Sequence, residues 1–184
     1  ETGNGPRASC VTLTNCSVEH SKVESKGSVG GLIGHAGGDA WTYSTIAGCT
    51  VSNCELTSGN TQDWRVGALV GTAGVGQLIV DQATVDAAKN NPLQQGNVPN
   101  ASLEDGLLGR AALGETGLVI IAGKVVGAGT QMVAKIGTTG YPTLEAAVSA
   151  AEPGETVELM KNVTLNEGVT INKSNITIDG WGHT

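Results

Sequence analysis

Gly31-Leu32-Ile33-Gly34 returns later in the chain as Ala68-Leu69-Val70-Gly71 and as Gly106-Leu107-Leu108-Gly109. The last glycines of the three phrases are separated by 37 and then by 38 positions. A fixed period of this length is typical of repeat architectures, in which each unit stacks on the next. The phrase therefore predicts a stack of similar units over much of the chain.

A second phrase follows the same period. Residues 11–18 (VTLTNCSV) resemble residues 50–56 (TVSNCEL), with the two Asn-Cys pairs 38 positions apart, and residues 78–85 are a weaker third copy. Apolar residues alternate in Val66-Gly67-Ala68-Leu69-Val70, which is the period of a half-buried strand. The glycines from Gly30 to Gly38, Gly34 among them, are interpreted as tight corners between such strands.

The composition favours β-structure over helix or disorder. The chain has 184 residues, of which 28 are glycine and only 15% are charged, which argues against a coiled coil or a charged disordered tail. Phenylalanine is absent and aromatic residues make up 3%, so the core must consist of valine, isoleucine, leucine, alanine and threonine. Such side chains pack well in stacked strands.

These patterns together predict an all-β fold. Residues 4–134 are expected to form a β-solenoid, with right-handed parallel β-helix-like repeats, in which Gly34 and Gly71 occupy stacked corners. Residues 86–102 are polar and rich in turn residues, so we expect an irregular insertion there. The β-rich run over 114–133 is predicted to supply strands that close the stack.

A change of composition near residue 134 predicts a second unit over 135–184. Apolar residues at helical spacing predict a short capping helix at about 143–151, with Thr143 as N-cap and Pro153-Gly154 beyond its end. Strand patterns follow at 156–160, at 163–165 with 169–171, and at 176–180. We expect this unit to be the start of a second β-helix module.

Four cysteines stand at positions 10, 16, 49 and 54. Their spacings of six and five within each pair, without a nearby histidine pair, do not match a zinc site. If each repeat forms one layer, Cys16 lies over Cys54 and Cys10 lies near Cys49, within disulfide range. The alternative is that all four are thiols in a stacked ladder and act as small hydrophobic side chains.

The Asn-Cys and Gly-x-Leu-x-Gly phrases resemble the GLUG-type repeat of large bacterial surface proteins. Residues 135–184 are similar to the opening of right-handed parallel β-helix modules in bacterial cell-surface proteins, down to the closing phrase Ile178-Asp179-Gly180-Trp181-Gly182-His183-Thr184. The resemblance implies an adhesin-like protein that is extracellular or on the bacterial cell surface. Trp181 is interpreted as a structural residue of a turn.

Charge and hydropathy exclude several classes of partner. The net charge of −7 and the pI near 4.8 argue against nucleic acid, which requires a basic face. The longest apolar run, residues 118–126, is too short for membrane insertion. Glu1-Thr2-Gly3 is typical of the remnant that a secretion vector leaves after signal cleavage, which supports an extracellular location.

No catalytic or cofactor motif stands out in the sequence. A His-Glu-x-x-His zinc-peptidase motif is absent, and the glycine-rich phrases lack the lysine and the strand-to-helix context of a phosphate loop. The sequence therefore predicts a protein that is not an enzyme, with no metal and no cofactor.

Aromatic residues in polar surroundings are the candidate binding residues. Trp41 and Tyr43 follow the first group of glycines, Trp64 precedes the second glycine-rich strand, and Asp39 and Asp63 stand beside them. Exposed tryptophan and tyrosine are common anchors for sugars and proteins. The alternative is that these rings pack over the edge of the stack in place of phenylalanine.

Three functions are compatible with these observations. The first is a non-catalytic binding or adhesion module that recognises a host protein or glycan. The second is an accessory domain of a large extracellular hydrolase, either a peptidase or a polysaccharide-active enzyme, and the third is a passive stalk. The fold alone does not distinguish them.

Overall fold

The computed structural model describes residues 9–38, 42–165 and 167–184. Short strands, two short helices and the loops between them make up this part of the chain. The elements in chain order are β1 (Ser9–Thr14), β2 (Ser17–Glu19), β3 (Lys22–Ser25), β4 (Val29–Gly30), β5 (Ile33–Ala36), β6 (Thr42–Ala47), β7 (Thr50–Ser52), β8 (Glu55–Ser58), β9 (Val66–Gly67), β10 (Val70–Ala73), β11 (Gln77–Val80), α1 (Gln82–Ala87), β12 (Ala88–Lys89), β13 (Leu93–Gln94), β14 (Leu108–Ala111), β15 (Leu118–Ile121), β16 (Lys124–Ala128), β17 (Ala134–Ile136), β18 (Thr139–Tyr141), α2 (Leu144–Ala150), β19 (Thr156–Leu159) and β20 (Thr177–Asp179).

Strands of one repeat pair in parallel with the matching strands of the next. The sheets that result have the orders β1-β6-β11-β15-β16, β14-β10-β5, β12-β7-β2, β13-β8-β3 and β4-β9. Cys10 is opposite Tyr43, 33 positions later, whereas Val29 is opposite Val66, 37 positions later. The four extra residues lie in the loop between β8 and β9, which is longer than the one between β3 and β4.

The fold-class prediction is wrong in its architecture. The described chain forms six separate sheets of two to five strands rather than a single solenoid. Ala122 and Gly123 both have positive φ (50° and 78°), as a tight hairpin turn requires, so β16 returns antiparallel to β15 and ends the parallel stacking. The predicted second β-helix is likewise a mixed four-stranded sheet, β18-β17-β19-β20, in which only β19 and β20 are parallel.

The repeated glycines lie within strands rather than at corners, which corrects a second expectation. Gly34, Gly71 and Gly109 occupy matching positions in β5, β10 and β14. A Cβ atom on Gly71 would lie 2.5 Å from the backbone nitrogen of Val29 and 2.6 Å from the carbonyl oxygen of Gly34. Gly71 and Gly109 are therefore required because two backbones approach each other closely there, whereas a Cβ on Gly34 would lie 3.0 Å from the Ser28 carbonyl oxygen.

The actual corners are residues with positive φ. Asn15 (54°) lies beside Gly48 (62°), since Thr14 is opposite Ala47 in the β1–β6 register. A second corner stacks His20, Asn53 and Asn90, with φ of 48°, 53° and 55°. Asparagine is tolerated at such positions because its short polar side chain can bond to the local backbone.

The interior of the stacked repeats is apolar. Ile46, Val51, Leu56 and Val70 are fully buried in the second repeat. Their register partners in the first repeat are only half-buried, namely Leu13, Val18, Val23 and Ile33. Burial thus increases from the first layer to the second.

Residues 134–184 have an apolar cluster of their own. The predicted helix is confirmed as α2, and the Thr143 Oγ1 atom accepts a hydrogen bond of 3.0 Å from the Ala146 backbone N–H. α2 buries Leu144, Ala147 and Val148. β19 and β20 correspond to two of the predicted strands, whereas 163–165 and 169–171 contain no strand. The division of the chain at residues 134 and 135 into two domains stays a prediction.

Asp81 joins the cap of α1 to the preceding layer, and this arrangement predicts a pH-dependent stability. Its carboxylate accepts bonds from the backbone N–H groups of Thr84 (2.9 Å) and Gly48 (3.0 Å). A side-chain hydrogen bond with Thr84, helped by these backbone bonds, lowers the pKa of Asp81. The charged form therefore stabilises the fold above the unfolded pKa, about 4, and this contribution is lost as pH falls toward the folded value. Asp81→Ala should cost about 1–2 kcal/mol at pH 7 and less at pH 3, measured by urea unfolding.

Asp86→Ala is the control for this measurement. Asp86 is exposed near the other end of the same helix, so its loss should change the free energy of unfolding by less than about 0.5 kcal/mol. An Asp81→Ala effect of equal size at pH 3 and pH 7 would contradict the role assigned to the carboxylate charge.

Candidate functional site

The predicted aromatic site is only partly described. Trp41 and Asp39 lie outside the described residues. Tyr43 lies in β6 between Cys10 of β1 and Gln77 of β11, and its side chain is exposed at 36% relative accessibility. Tyr43 is thus an outward-facing residue of the largest sheet.

Trp64 is a core residue, which corrects the expectation that it is exposed. It is 6% exposed, and its indole Nε1–H donates a 2.7 Å bond to the carbonyl oxygen of Val66. Its neighbours in sequence, Asp63 and Arg65, are polar, but the ring points into the cluster that contains Val66 and Leu69. The burial of Trp64 agrees with the alternative interpretation, in which its ring packs in place of phenylalanine.

Asp63 takes part in a network of ion pairs. Arg65 Nε donates to its carboxylate at 2.5 Å, and Arg110 of β14 contacts the other carboxylate oxygen. The hydrogen bond from Arg65, helped by the charge of Arg110, holds the pKa of Asp63 below its ordinary value. The buried Gln95 accepts a 2.7 Å bond from the Arg65 backbone N–H, so this loop is held by internal contacts.

The cysteines are all free thiols, and the predicted pairs are not neighbours. Cys10 is opposite Tyr43 rather than Cys49. The backbone N–H of Cys54 bonds to Asn91 Oδ1 at 3.0 Å, whereas Cys16 lies beside Cys49 instead. The 38-residue Asn-Cys spacing therefore does not correspond to the spacing of adjacent layers in this part of the chain.

A cleft with a volume of about 560 Å³ is a candidate binding site. It is lined by residues 122–125 of the β15–β16 turn, by Lys135 of β17, by residues 158–160 at the end of β19, and by Trp181 and His183. Apolar atoms come from Val125, Leu159 and Met160. The cleft thus combines an apolar lining with a few charged groups, as ligand sites commonly do.

An ion pair between two paired strands contributes charge to the cleft. Lys135 is opposite Glu158 in the antiparallel β17–β19 register, and Lys135 Nζ lies 2.5 Å from Glu158 Oε2. The Lys135 side chain is only 8% exposed, so the pair is fixed by packing. Lys124 lies at the cleft too and binds Glu104 at 3.0 Å.

Trp181 projects from a tight turn next to this cleft. Its φ is 46° and that of Gly182 is 81°, and the His183 backbone N–H donates a 2.6 Å bond to the Gly180 carbonyl. Asp179 Oδ1 accepts a 2.9 Å bond from the Trp181 backbone N–H, which fixes the residue further. The turn expected at this phrase is present, but the indole is 70% exposed and contributes little to the core.

The described parts of the chain contain no group of three or more His, Cys, Asp or Glu side chains placed to bind a metal ion. The helices found in these parts have six and seven residues, and neither could span a membrane.

Comparisons with known proteins assign no family. No family model matches the chain, and neither a curated protein nor a solved structure matches it. The resemblance of its phrases to GLUG-type repeats therefore stays a prediction.

Proposed function

We propose that this chain is a non-catalytic binding module of an extracellular surface protein, and that it recognises a glycan at the Trp181 cleft. The observation that supports this most is the placement of Trp181. A tryptophan with left-handed φ costs about 1–2 kcal/mol relative to glycine, and an indole that is 70% exposed recovers little of that cost by burial. A residue that folding does not require is a candidate for function.

The chemistry of the cleft favours a sugar. An exposed indole offers a flat apolar surface on which the C–H face of a sugar ring can stack, and its N–H can donate a hydrogen bond. Lys124 and the Lys135–Glu158 pair lie at the same cleft and can bond to hydroxyl groups. Because the turn fixes the backbone of Trp181, binding orders little more than one side chain.

A glycan array followed by calorimetry with the best hit tests this function. Trp181→Ala should weaken binding at least tenfold, because a central aromatic anchor typically contributes more than about 1 kcal/mol. Tyr43→Ala is the matched control, since it removes an exposed aromatic side chain from a different strand. Tyr43 lies in β6, whereas the cleft is lined by β16, three strands further along the same sheet, so this variant should leave binding unchanged.

Three results would overturn the proposal. One is equal affinity of Trp181→Ala and the parent protein for the hit, with circular dichroism unchanged. Another is loss of binding in Tyr43→Ala instead. The third is the finding that the protein binds no glycan on the array but binds another protein. The chain would then be a binding module whose ligand is a protein.

A further inference from the structure

Cys16 and Cys49 stand side by side in adjacent layers. Each directly precedes a strand of the β2–β7 pair, in which Ser17 is opposite Thr50. Backbone hydrogen bonds flank the two cysteines, from Asn15 N–H to the Ala47 carbonyl at 3.0 Å and from Thr50 N–H to the Cys16 carbonyl at 2.8 Å. The spacing of paired strands, about 4.8 Å, lies within the Cα–Cα range of disulfides.

The thiol of Cys49 already reaches across to the first layer. Its Sγ atom lies 3.4 Å from the backbone nitrogen of Cys16 and 3.6 Å from the carbonyl oxygen of Leu13. Since the N–Cα bond is about 1.46 Å, this sulfur lies within about 4.9 Å of the Cys16 Cα atom. Cys16 Sγ contacts the carbonyl oxygen of Thr14 at 3.6 Å, a contact that it would give up in a disulfide with Cys49.

The other two cysteines have different neighbours. Cys10 is opposite Tyr43. Cys54 is buried, its Sγ atom contacts the Val18 and Ser52 carbonyl oxygens at 3.3 Å, and its backbone N–H bonds to Asn91. Within the described residues, therefore, Cys16 and Cys49 are the pair of cysteines that adjacent layers place together.

We propose that Cys16 and Cys49 form a disulfide in an oxidising environment, while Cys10 and Cys54 remain thiols. The oxidant is a small disulfide such as oxidised glutathione. The partly exposed Cys16 thiolate attacks it, forms a mixed disulfide and releases one glutathione thiolate. The Cys49 thiolate then attacks Cys16 Sγ and releases the second glutathione. Two protein thiols are thereby oxidised, one oxidant disulfide is reduced to two thiols, and the two protons pass to the released thiolates.

The bond would fasten the half-buried first layer to the fully buried second one. It closes a loop that runs from residue 16 to residue 49, and such a loop restricts the unfolded chain. The reduced protein should therefore unfold about 5–15 °C below the oxidised protein.

Mass spectrometry after oxidation in a glutathione redox buffer tests the pairing. All free thiols are then alkylated with N-ethylmaleimide in denaturant, and two adducts rather than four are expected. Trypsin places Cys10 and Cys16 in one peptide, residues 8–22, and Cys49 and Cys54 in another, residues 27–65. A disulfide between these two peptides is expected, and fragmentation should locate it at Cys16 and Cys49.

Serine variants confirm the assignment. The double variant with Cys10→Ser and Cys54→Ser should keep the cross-link and the difference in Tm between its oxidised and reduced forms, whereas Cys16→Ser and Cys49→Ser should each lose both. Four adducts on the oxidised parent protein would overturn the proposal. A disulfide within either peptide, or a cross-link that persists in Cys49→Ser, would do so equally, because each is a different pairing.

Discussion

Gly71→Ala is expected to destabilise the protein by about 3 kcal/mol or more. The added Cβ would lie 2.5–2.7 Å from three backbone atoms, namely the nitrogen and oxygen of Val29 and the oxygen of Gly34. Backbone atoms in paired strands cannot move aside as a flexible side chain can, so β4 and β10 would have to separate. Urea unfolding followed by circular dichroism measures the loss.

Gly38→Ala is the matched control for Gly71→Ala. A Cβ on Gly38 would meet no atom of the described residues within 4 Å, so the free energy of unfolding should change by less than about 0.5 kcal/mol in Gly38→Ala. A Gly71→Ala variant as stable as Gly38→Ala would show that β4 and β10 do not approach each other as closely as the structure has them.

Leu69→Ala is expected to cost about 2–5 kcal/mol. Leu69 is 1% exposed and belongs to the central apolar cluster, and the removal of its side chain leaves a cavity between layers. Leu32→Ala is the matched control, since Leu32 occupies the same position of the phrase one repeat earlier and is only half-buried.

The difference between these two leucines is the informative quantity. Leu32→Ala should cost about 1–2 kcal/mol, because less apolar area is lost and solvent can fill the space. Equal losses in thermal or urea unfolding would mean that Leu32 is covered as completely as Leu69, and the burial gradient between the two layers would be wrong.

The glycine-rich phrase correctly predicted β5, β10 and β14 as matching strands, because its glycines lie where two backbones pack closely. A Cβ on Gly71 would meet backbone atoms of β4, and one on Gly109 would meet the backbone of β9, at less than 3 Å, so glycine recurs at the same point of these repeats. Helix α2 was predictable for a similar reason, because its cap and its buried face are local in sequence. The division into small separate sheets was not predicted, and neither was the antiparallel β16, whose direction depends on the turn at residues 122–123.

The Asn-Cys phrase predicted the wrong spacing between layers, because a residue with left-handed φ is needed at two different corners. Asn15 and Asn53 both have left-handed φ, yet Asn15 stacks beside Gly48, and Asn53 stacks between His20 and Asn90. The similarity of the two phrases thus reflects the conformation of a corner rather than adjacency in the stack. The Cys16–Cys49 neighbourhood follows from the 33-residue register, which only the structure provides.

Most of the candidate site could not be predicted from the sequence. Trp64 has polar neighbours but a buried ring, and Trp181 has a turn phrase but an exposed ring. Neither outcome follows from alternation, because each residue lies outside a long strand, where side chain direction is set by tertiary contacts.

The register between layers bears on how the chain folds. Paired residues of adjacent layers are 33 to 41 positions apart, from the first pair of layers to the last. Every layer therefore closes a loop of similar length, and an additional layer would not increase the entropic cost of closing any one loop. Contacts of this range form more slowly than those of helices, because a loop of that length must close before each pair of strands can meet.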